Sequence, residues 1–234
     1  MSFFTGDKLN HIKVNKEAIL SAGAIGSPHL LQISGIGDGE KIKKHGIEVV
    51  HELKGVGKNL QDHLMFRPVY KLKNIKSLNR DVESLYSKFL MGLQYIFKQS
   101  GPITMGASQV CAFTKSDPSR ATPNLQFHVQ PLSTDILGVT PMHDFEGITP
   151  TVANIRPSSR GEINISSNDS RDNPKIKMNY LSTEDDRIVA AEGLKLVRKI
   201  MLETETFKKY QPEEYRPGVH ITEDEELVLS LIHI

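Results

Sequence analysis

The sequence predicts an α/β portion joined to an α+β domain, the latter with a mostly antiparallel sheet flanked by helices. Three patterns predict it. An aliphatic run ends in small residues and passes into a helix over residues 11–33. The runs "SQVCAFTK", "NLQFHVQPL", "TPTVANIRP" and "GEINISS" are short, β-rich and separated by Pro, Gly, Asn and Ser, the texture of an antiparallel sheet. Two stretches repeat apolar residues at helical spacing, one through Leu85, Phe89, Leu93 and Ile96, the other through Ile188, Ala191, Leu194, Val197 and Met201.

Each element has a local reason. In "HIKVNKEAILSAG" the residues Ile12, Val14, Ile19 and Leu20 read as a strand that runs into a tight turn of small residues. Ser27 reads as an N-cap and Pro28 as the first helical residue, with Leu30, Leu31 and Ile33 on the apolar face and a stop at Gly35. Such a turn lets a backbone or a flat ligand approach closely, and its helix start offers N–H groups to an anion or carbonyl; packing alone accounts for it equally well. "DGEKIKKHGIEVV" reads as a short helix, a stop at Gly46 and a short strand, and "KGVGKNLQDHL" as a Gly-x-Gly followed by a helical turn. "MFRPVYKLK" is a strand, and Ser182 or Thr183 caps the later helix, whose first turn is acidic. The change of texture near Phe66 divides the chain into residues 1–66, 67–220 and a tail, 221–234.

Composition narrows the function classes. With 234 residues, 38% hydrophobic and 24% charged, the chain is long enough for a substantial core. A formal charge of +1 without a basic run gives no reason to expect nucleic acid. The single cysteine, Cys111, leaves no intramolecular disulfide or cysteine metal cluster. The nine histidines form no close ligand pairs, no metal is expected, and no G-x-S-x-G elbow occurs. Nothing reads as a signal peptide or membrane span, and the compartment stays open. Asn164 and Asn168 begin glycosylation sequons, which matter only in a secreted protein.

"GAIGSPHLLQISGIG" resembles the second signature of the glucose-methanol-choline (GMC) flavoprotein oxidoreductases over its full length. "GVGKNLQDHL", "GPITMGASQVCAFTKSDPS", "LQFHVQPLS", "NIRPSSRGEINISSNDSRDNPKIKMNYLSTEDD" and "PEEYRPG" follow in that family's order and spacing, most similar to its choline-dehydrogenase-like alcohol dehydrogenases. The resemblance implies an incomplete FAD-binding, Rossmann-type portion and a substrate domain. The family's pyrophosphate-binding βαβ unit has no counterpart here, and neither "GIGDGE" nor "GVGKNL" replaces it. The family's catalytic His is expected beyond the C-terminus. "ITEDEELVLSLIHI" departs from the family after about Leu227, so His233 inherits no catalytic role.

The implied chemistry is oxidation of an alcohol CH–OH group with hydride transfer to flavin N5, the electrons passing on to oxygen, a quinone or another acceptor. The alternative is a truncated, non-catalytic paralogue that serves as a binding module. By resemblance, Ser21, Ala22, Gly23 and Ser27 lie against FAD, and Asn59 and Asp62 run beside the flavin. Asn59 also reads as a helix N-cap, and Asp62–His63 as a structural pair. Gln109 and His128 match substrate-cavity positions. Alternation puts His128 and Gln130 on one face and Phe127 and Val129 on the other, so His128 either looks into a cavity or satisfies an internal partner. Arg156, Ser159 and Arg160 read as loop-tying residues.

Overall fold

The computed structural model describes residues 1–106 and 108–230. In chain order its elements are β1 (Ser2–Thr5), β2 (Lys8–His11), α1 (Gly23–Ile33), β3 (Ile36–Gly37), α2 (Gly39–Lys43) and β4 (His51–Glu52). There follow β5 (Met65–Phe66), β6 (Val69–Lys71), α3 (Leu78–Glu83), α4 (Leu85–Lys98), β7 (Val110–Thr114), β8 (Leu125–Gln130) and β9 (Gly147–Asn154). The last are β10 (Glu162–Asn164), β11 (Lys175–Lys177), α5 (Glu184–Arg198), α6 (Glu205–Lys208), β12 (Glu213–Arg216) and α7 (Asp224–Ser230). They form two compact units, residues 1–60 with 160–178, and residues 61–159 with the chain from 179 onward.

In the first unit β1 and β2 form an antiparallel hairpin closed at Gly6 and Asp7, which local patterning did not suggest. The strand expected over residues 12–20 is absent, because this segment pairs with no other strand among the described residues and a lone strand leaves its ladder groups unmatched. Its aliphatic side chains are exposed, Ile19 by 84%. Helix α2 has the expected form: Asp38 Oδ1 accepts from Lys41 N at 3.4 Å, and the chain turns out at Gly46. β3 and β4 pair in parallel.

The excursion over residues 160–178 belongs with this unit because the buried Gln32 of α1 grips it. Gln32 Nε2 donates to the Ile163 carbonyl and its Oε1 accepts from Ile165 N, both at 2.9 Å. Lys41 and Lys58 converge on Glu162 and hold its carboxyl down at about 2. The units therefore interleave along the chain, where the sequence texture suggested one cut near Phe66.

The second unit contains the expected antiparallel sheet, in the order β12-β6-β9-β8-β7, with β5 also paired to β9. Phe66, Tyr70, Leu125, Phe127 and Val152 meet Val189, Ala190, Leu194 and Val197 of α5 and Leu227 of α7 in the core. Thr183 caps α5, its Oγ1 accepting from Asp186 N at 3.3 Å. The expected Ala191, Leu194, Val197 and Met201 are buried, together with Asp186, Val189, Ala190 and Gly193, while Ile188 is exposed. The helix expected through Leu85, Phe89, Leu93 and Ile96 is α4, capped by Ser84, whose Oγ accepts from Ser87 N at 3.2 Å. No residue of α4 is buried, and Leu85 and Ile96 are exposed.

Within residues 221–234 helix α7 runs as far as Ser230, with Leu227 and Val228 in the core; His233 lies outside the described residues. Among the described residues no helix is long and apolar enough to cross a membrane.

Candidate functional site

The small-residue turn is the first turn of α1. The helix begins at Gly23 and not at Pro28, so Ser27 is no N-cap; Ala22 holds that position without a side-chain cap. Small residues can coil ahead of the proline, and Ser27 Oγ folds back to accept from Ala22 N at 3.1 Å. Gly23 takes φ +73°, which an L side chain rarely adopts, and open space surrounds the place of its missing Cβ. Ser21, Ala22 and Gly23 are exposed, and no acidic side chain occupies the first helical turn. Apart from the Ala22 N–H taken by Ser27, the first-turn N–H groups of α1 have no side-chain cap and lie behind a surface of small side chains. This donor set fits one polar edge of a flat cofactor.

Asn59 belongs to the same unit but caps no helix, and the helical turn expected after it does not form. Its backbone is left-handed, φ +59°, and its Oδ1 accepts from Arg160 Nε at 2.8 Å. Leu60 and Gly161 then exchange two backbone hydrogen bonds, Leu60 N to the Gly161 carbonyl at 3.1 Å and Gly161 N to the Leu60 carbonyl at 2.8 Å. A Cβ on Gly161 would come within 2.8 Å of the Met178 carbonyl oxygen, so only glycine permits that approach. Asp62 falls in the second unit. Its Oδ2 accepts from the Tyr180 hydroxyl at 2.5 Å, so its partner is Tyr180 and not His63. Partial burial, reinforced by that carboxylate, pushes the Tyr180 hydroxyl up to about 12.

Gln109 and His128 lie on the sheet of the second unit. His128 is level with Cys111 on β7 and Thr151 on β9, and Gln109 N donates to the Val129 carbonyl at 3.1 Å. Alternation with this register places Gln109, Cys111, Gln126, His128, Gln130, Thr149, Thr151 and Arg67 on one face, with the apolar Met65, Phe113 and Ala153 among them and the Lys71–Glu213 pair farther along the sheet. The opposite face carries Val110, Ala112, Phe127, Val129 and Pro150, which with α5 line an apolar cavity of about 410 Å³. The sheet therefore has a dry side and a polar side, and the polar side presents His128.

The polar side is linked by hydrogen bonds. Gln126 Nε2 donates to Cys111 Sγ at 3.4 Å, Gln130 Nε2 to Ser108 Oγ at 3.2 Å, and Arg67 Nη2 to Gln130 Oε1 at 3.1 Å. Thr149 Oγ1 donates to the Leu132 carbonyl at 2.8 Å. Thr151 Oγ1 is buried without a hydrogen-bond partner among the described residues. Beside this face Asp135 binds Arg216 Nη1 at 2.8 Å and His143 Nε2 at 3.1 Å, and Ser133 Oγ meets His143 Nδ1 at 3.1 Å.

Arg67, Thr151 and Asp135 escaped the sequence reading. The one signal for Arg67 was its place two residues after Met65 in "MFRPVY", masked by the break at Pro68. Arg156 and Arg160 tie loops, the first through Nε to the Pro123 carbonyl at 3.2 Å. Ser159 Oγ accepts from Ser182 N at 3.1 Å.

Comparison with known proteins gives one direction. Residues 4–65 and 157–233 match two family models, both described as GMC oxidoreductase. An oxygen-dependent choline dehydrogenase of Photobacterium profundum is 38% identical over 220 residues, 94% of this chain and 38% of that protein. An alcohol dehydrogenase [acceptor] of Pseudomonas putida is 37% identical over 216 residues, 92% of this chain and 39% of that one. The chain thus spans about 40% of the length of the curated relatives it matches. In fold it resembles a formate oxidase, with TM-score 0.83 and 24% identity over 94% of this chain and 42% of the other. It also resembles an FAD-dependent oxidoreductase from Chaetomium thermophilum, with TM-score 0.81 and 21% identity over 97% and 45%.

Proposed function

Because this chain belongs to the GMC oxidoreductase family, we propose that it is part of an FAD-dependent enzyme that oxidises the CH–OH group of a small alcohol. FAD, when bound, supplies the hydride acceptor, and oxygen, a quinone or another acceptor takes the electrons onward. The observation that carries this reading is the two-sided sheet, apolar toward α5 and polar around His128, in a chain of this family.

The residues divide the work. The N–H groups at the start of α1, around Ser21, Ala22 and Gly23, receive a polar edge of the cofactor, and Ser27 holds that turn in shape. Arg160 fixes Asn59 and Tyr180 fixes Asp62, so each side chain is already oriented within its own unit. His128 and Gln109 bind and orient the alcohol, while the dry face keeps the sheet rigid behind them. No residue of this chain is assigned as the proton acceptor. The 234-residue chain alone is therefore expected neither to hold FAD stably nor to turn over alcohols. The exposed aliphatic run around Ile19 favours part of an enzyme over a self-standing binding module.

The test uses the full-length protein that carries this chain. His128→Ala and Gln109→Ala are each expected to lower flavin-normalised alcohol turnover roughly tenfold or more, the equivalent of one hydrogen bond to a developing charge. Melting temperature and FAD content should hold, since a side chain lining a wet cavity adds little to packing. Normal turnover with lowered melting would return both residues to a structural role. A flavin spectrum and alcohol-dependent dye reduction in the isolated chain would overturn the division of labour.

A further inference from the structure

Arg67 is a half-buried guanidinium, and among the described residues no carboxylate lies within ion-pairing distance of it. Its side-chain hydrogen bond goes to the neutral amide of Gln130. Burial therefore pulls its pKa down, and the one carboxylate of its cavity, Asp135, is paired elsewhere. A cationic group in that state is an unfilled receptor for negative charge.

The space it faces is suited to such a guest. Arg67, Arg216 and Asp135 line a cavity of about 320 Å³ together with the apolar Val69, Ile136 and Leu137. Asp135 is already matched by Arg216 at 2.8 Å and by His143 at 3.1 Å. One positive charge, that of Arg67, is left over among the described residues. Through Gln130 the guanidinium connects to the strand that carries His128 two residues earlier on the same face, ~7 Å along β8.

A quaternary ammonium ion finds no spare counter-charge in this surface. The polar sheet face carries Arg67, His128, amides and hydroxyls, and its carboxylate, Glu213, is already paired with Lys71 at 3.5 Å. The neighbouring aromatic pair that could face a cation is occupied, with Lys71 Nζ 5.3 Å from the Phe145 ring centre and 4.9 Å from that of Tyr215. A dianionic phosphate would exceed the single spare charge, whereas a carboxylate on an aliphatic stem matches both the charge and the apolar walls.

We propose that this cavity binds the carboxylate of the substrate, so that the alcohol oxidised is a hydroxy acid and not a quaternary ammonium alcohol. The proposal rests on the flavoenzyme reading above. Arg67 acts as a binding and specificity residue, its fork of N–H donors meeting the carboxylate while the hydroxyl end extends along the sheet face toward His128.

The test compares 6-hydroxyhexanoate, its methyl ester, 6-phosphooxyhexanol and choline as substrates of the full-length protein, and titrates hexanoate as a non-reacting probe. The expected result is a kcat/KM for the acid about tenfold or more above those of the ester and choline, weakened by salt. Arg67→Met should lower the acid-to-ester ratio about tenfold, raise the dissociation constant of hexanoate comparably and leave the melting temperature in place; Arg67→Lys should restore part of both. Equal treatment of acid and ester, a preference for the phosphate ester or choline, or hexanoate affinity indifferent to Arg67→Met would overturn the carboxylate site. Flavin-loaded protein that oxidises none of the alcohols yet binds hexanoate through Arg67 would overturn the alcohol-oxidising reading and leave the anion site standing.

Discussion

Glu214→Ala is expected to destabilise the protein by about 3 kcal/mol, because it strips the counter-charge from a largely covered guanidinium and leaves a hole in the core. The Glu214 side chain is wholly buried on β12 and accepts four hydrogen bonds. Arg198 Nη2 and Gly218 N donate to its Oε1 at 2.9 and 3.1 Å, and Arg198 Nε and the Tyr70 hydroxyl donate to its Oε2 at 2.9 and 3.2 Å. Arg198 also donates to the carbonyls of Ile221 and Gly218 at 2.8 and 3.1 Å, so the pair ties α5 to the segment that follows β12. Burial, then the Glu214 charge, pushes the Tyr70 hydroxyl far above the ordinary tyrosine value and keeps it a donor. An arginine cannot shed its proton to escape, so removing Glu214 leaves both the charge and the Tyr70 hydroxyl unmatched. The double variant Arg198→Met with Glu214→Leu should recover much of the loss, since an apolar pair of similar size asks for no counter-charge. Urea unfolding of both variants measures this. A single-variant loss under about 1 kcal/mol, or a double variant no better than the single, would show that the pair is not the clamp described.

The parts of the fold legible in the sequence are those set by local period. Strands β7, β8 and β9 alternate, and their register brings Cys111, His128 and Thr151 side by side. Of the stripe expected on α5, Ala191, Leu194, Val197 and the following Met201 are buried and only Ile188 is not, because the first buried member is a carboxylate. The buried positions run from Asp186 through Val189, Ala190 and Gly193, and a stripe built only from large apolar residues takes in Ile188 instead. Ile188 lines a cavity with Val228 and Leu229 of α7. One departure comes from a missing neighbour. The aliphatic run over residues 12–20 has strand composition but no strand to pair with among the described residues, whereas the helical period through Leu85, Phe89, Leu93 and Ile96 does give α4. The return of residues 160–178 to the first unit has one local trace, a glutamine within the apolar helix α1 whose amide satisfies Ile163 and Ile165.

The site divides in the same way. Period two placed Gln109 and His128 on one face, but it carries no information about what stands opposite a strand break. Arg67 follows β5 immediately before Pro68, and its cavity is closed by Thr134, Asp135, Ile136 and Leu137 from a loop. That loop holds its shape through contacts distant in sequence. Asn79 Nδ2 donates to Ser133 Oγ at 2.9 Å and to the Phe145 carbonyl at 2.7 Å, while its Oδ1 accepts from Ser133 N at 2.7 Å. At the turn before α1, the capping rule fixed on the serine and proline and missed that glycine and alanine had already begun the helix.

Asp186 supplies the second large effect, and its sign can be worked out. Its carboxylate is 3% exposed and receives Ser158 N at 2.8 Å, Ser159 N at 2.9 Å, and the Asn154 amide and Ser158 hydroxyl at 3.2 Å each. Burial pushes this carboxyl up, but the hydrogen bonds from Ser159 and Ser158 together outweigh it and hold it below the ordinary aspartate value. A group whose folded pKa is depressed adds stability above its unfolded pKa and loses it as pH falls through the folded one. Asp186→Ala should therefore cost about 3 kcal/mol at neutral pH by leaving two backbone N–H groups and the Asn154 amide unmatched. Asp186→Asn should cost about 2 kcal/mol, because an NH₂ group then faces at least one donor. As pH falls through the ordinary aspartate range the unfolded carboxyl protonates first, and the advantage of wild type over Asp186→Asn should shrink progressively until the folded carboxylate protonates too. Glu162 and Asp169, each held at about 2, also titrate in acid, and the difference between wild type and variant removes their shared contribution. Melting temperatures of both proteins from pH 7 to about pH 3 decide the matter. A gap as wide in acid as at neutrality would mean that Asp186 acts through packing, and a gap that closes locates the charge that joins α5 to the loop after β9.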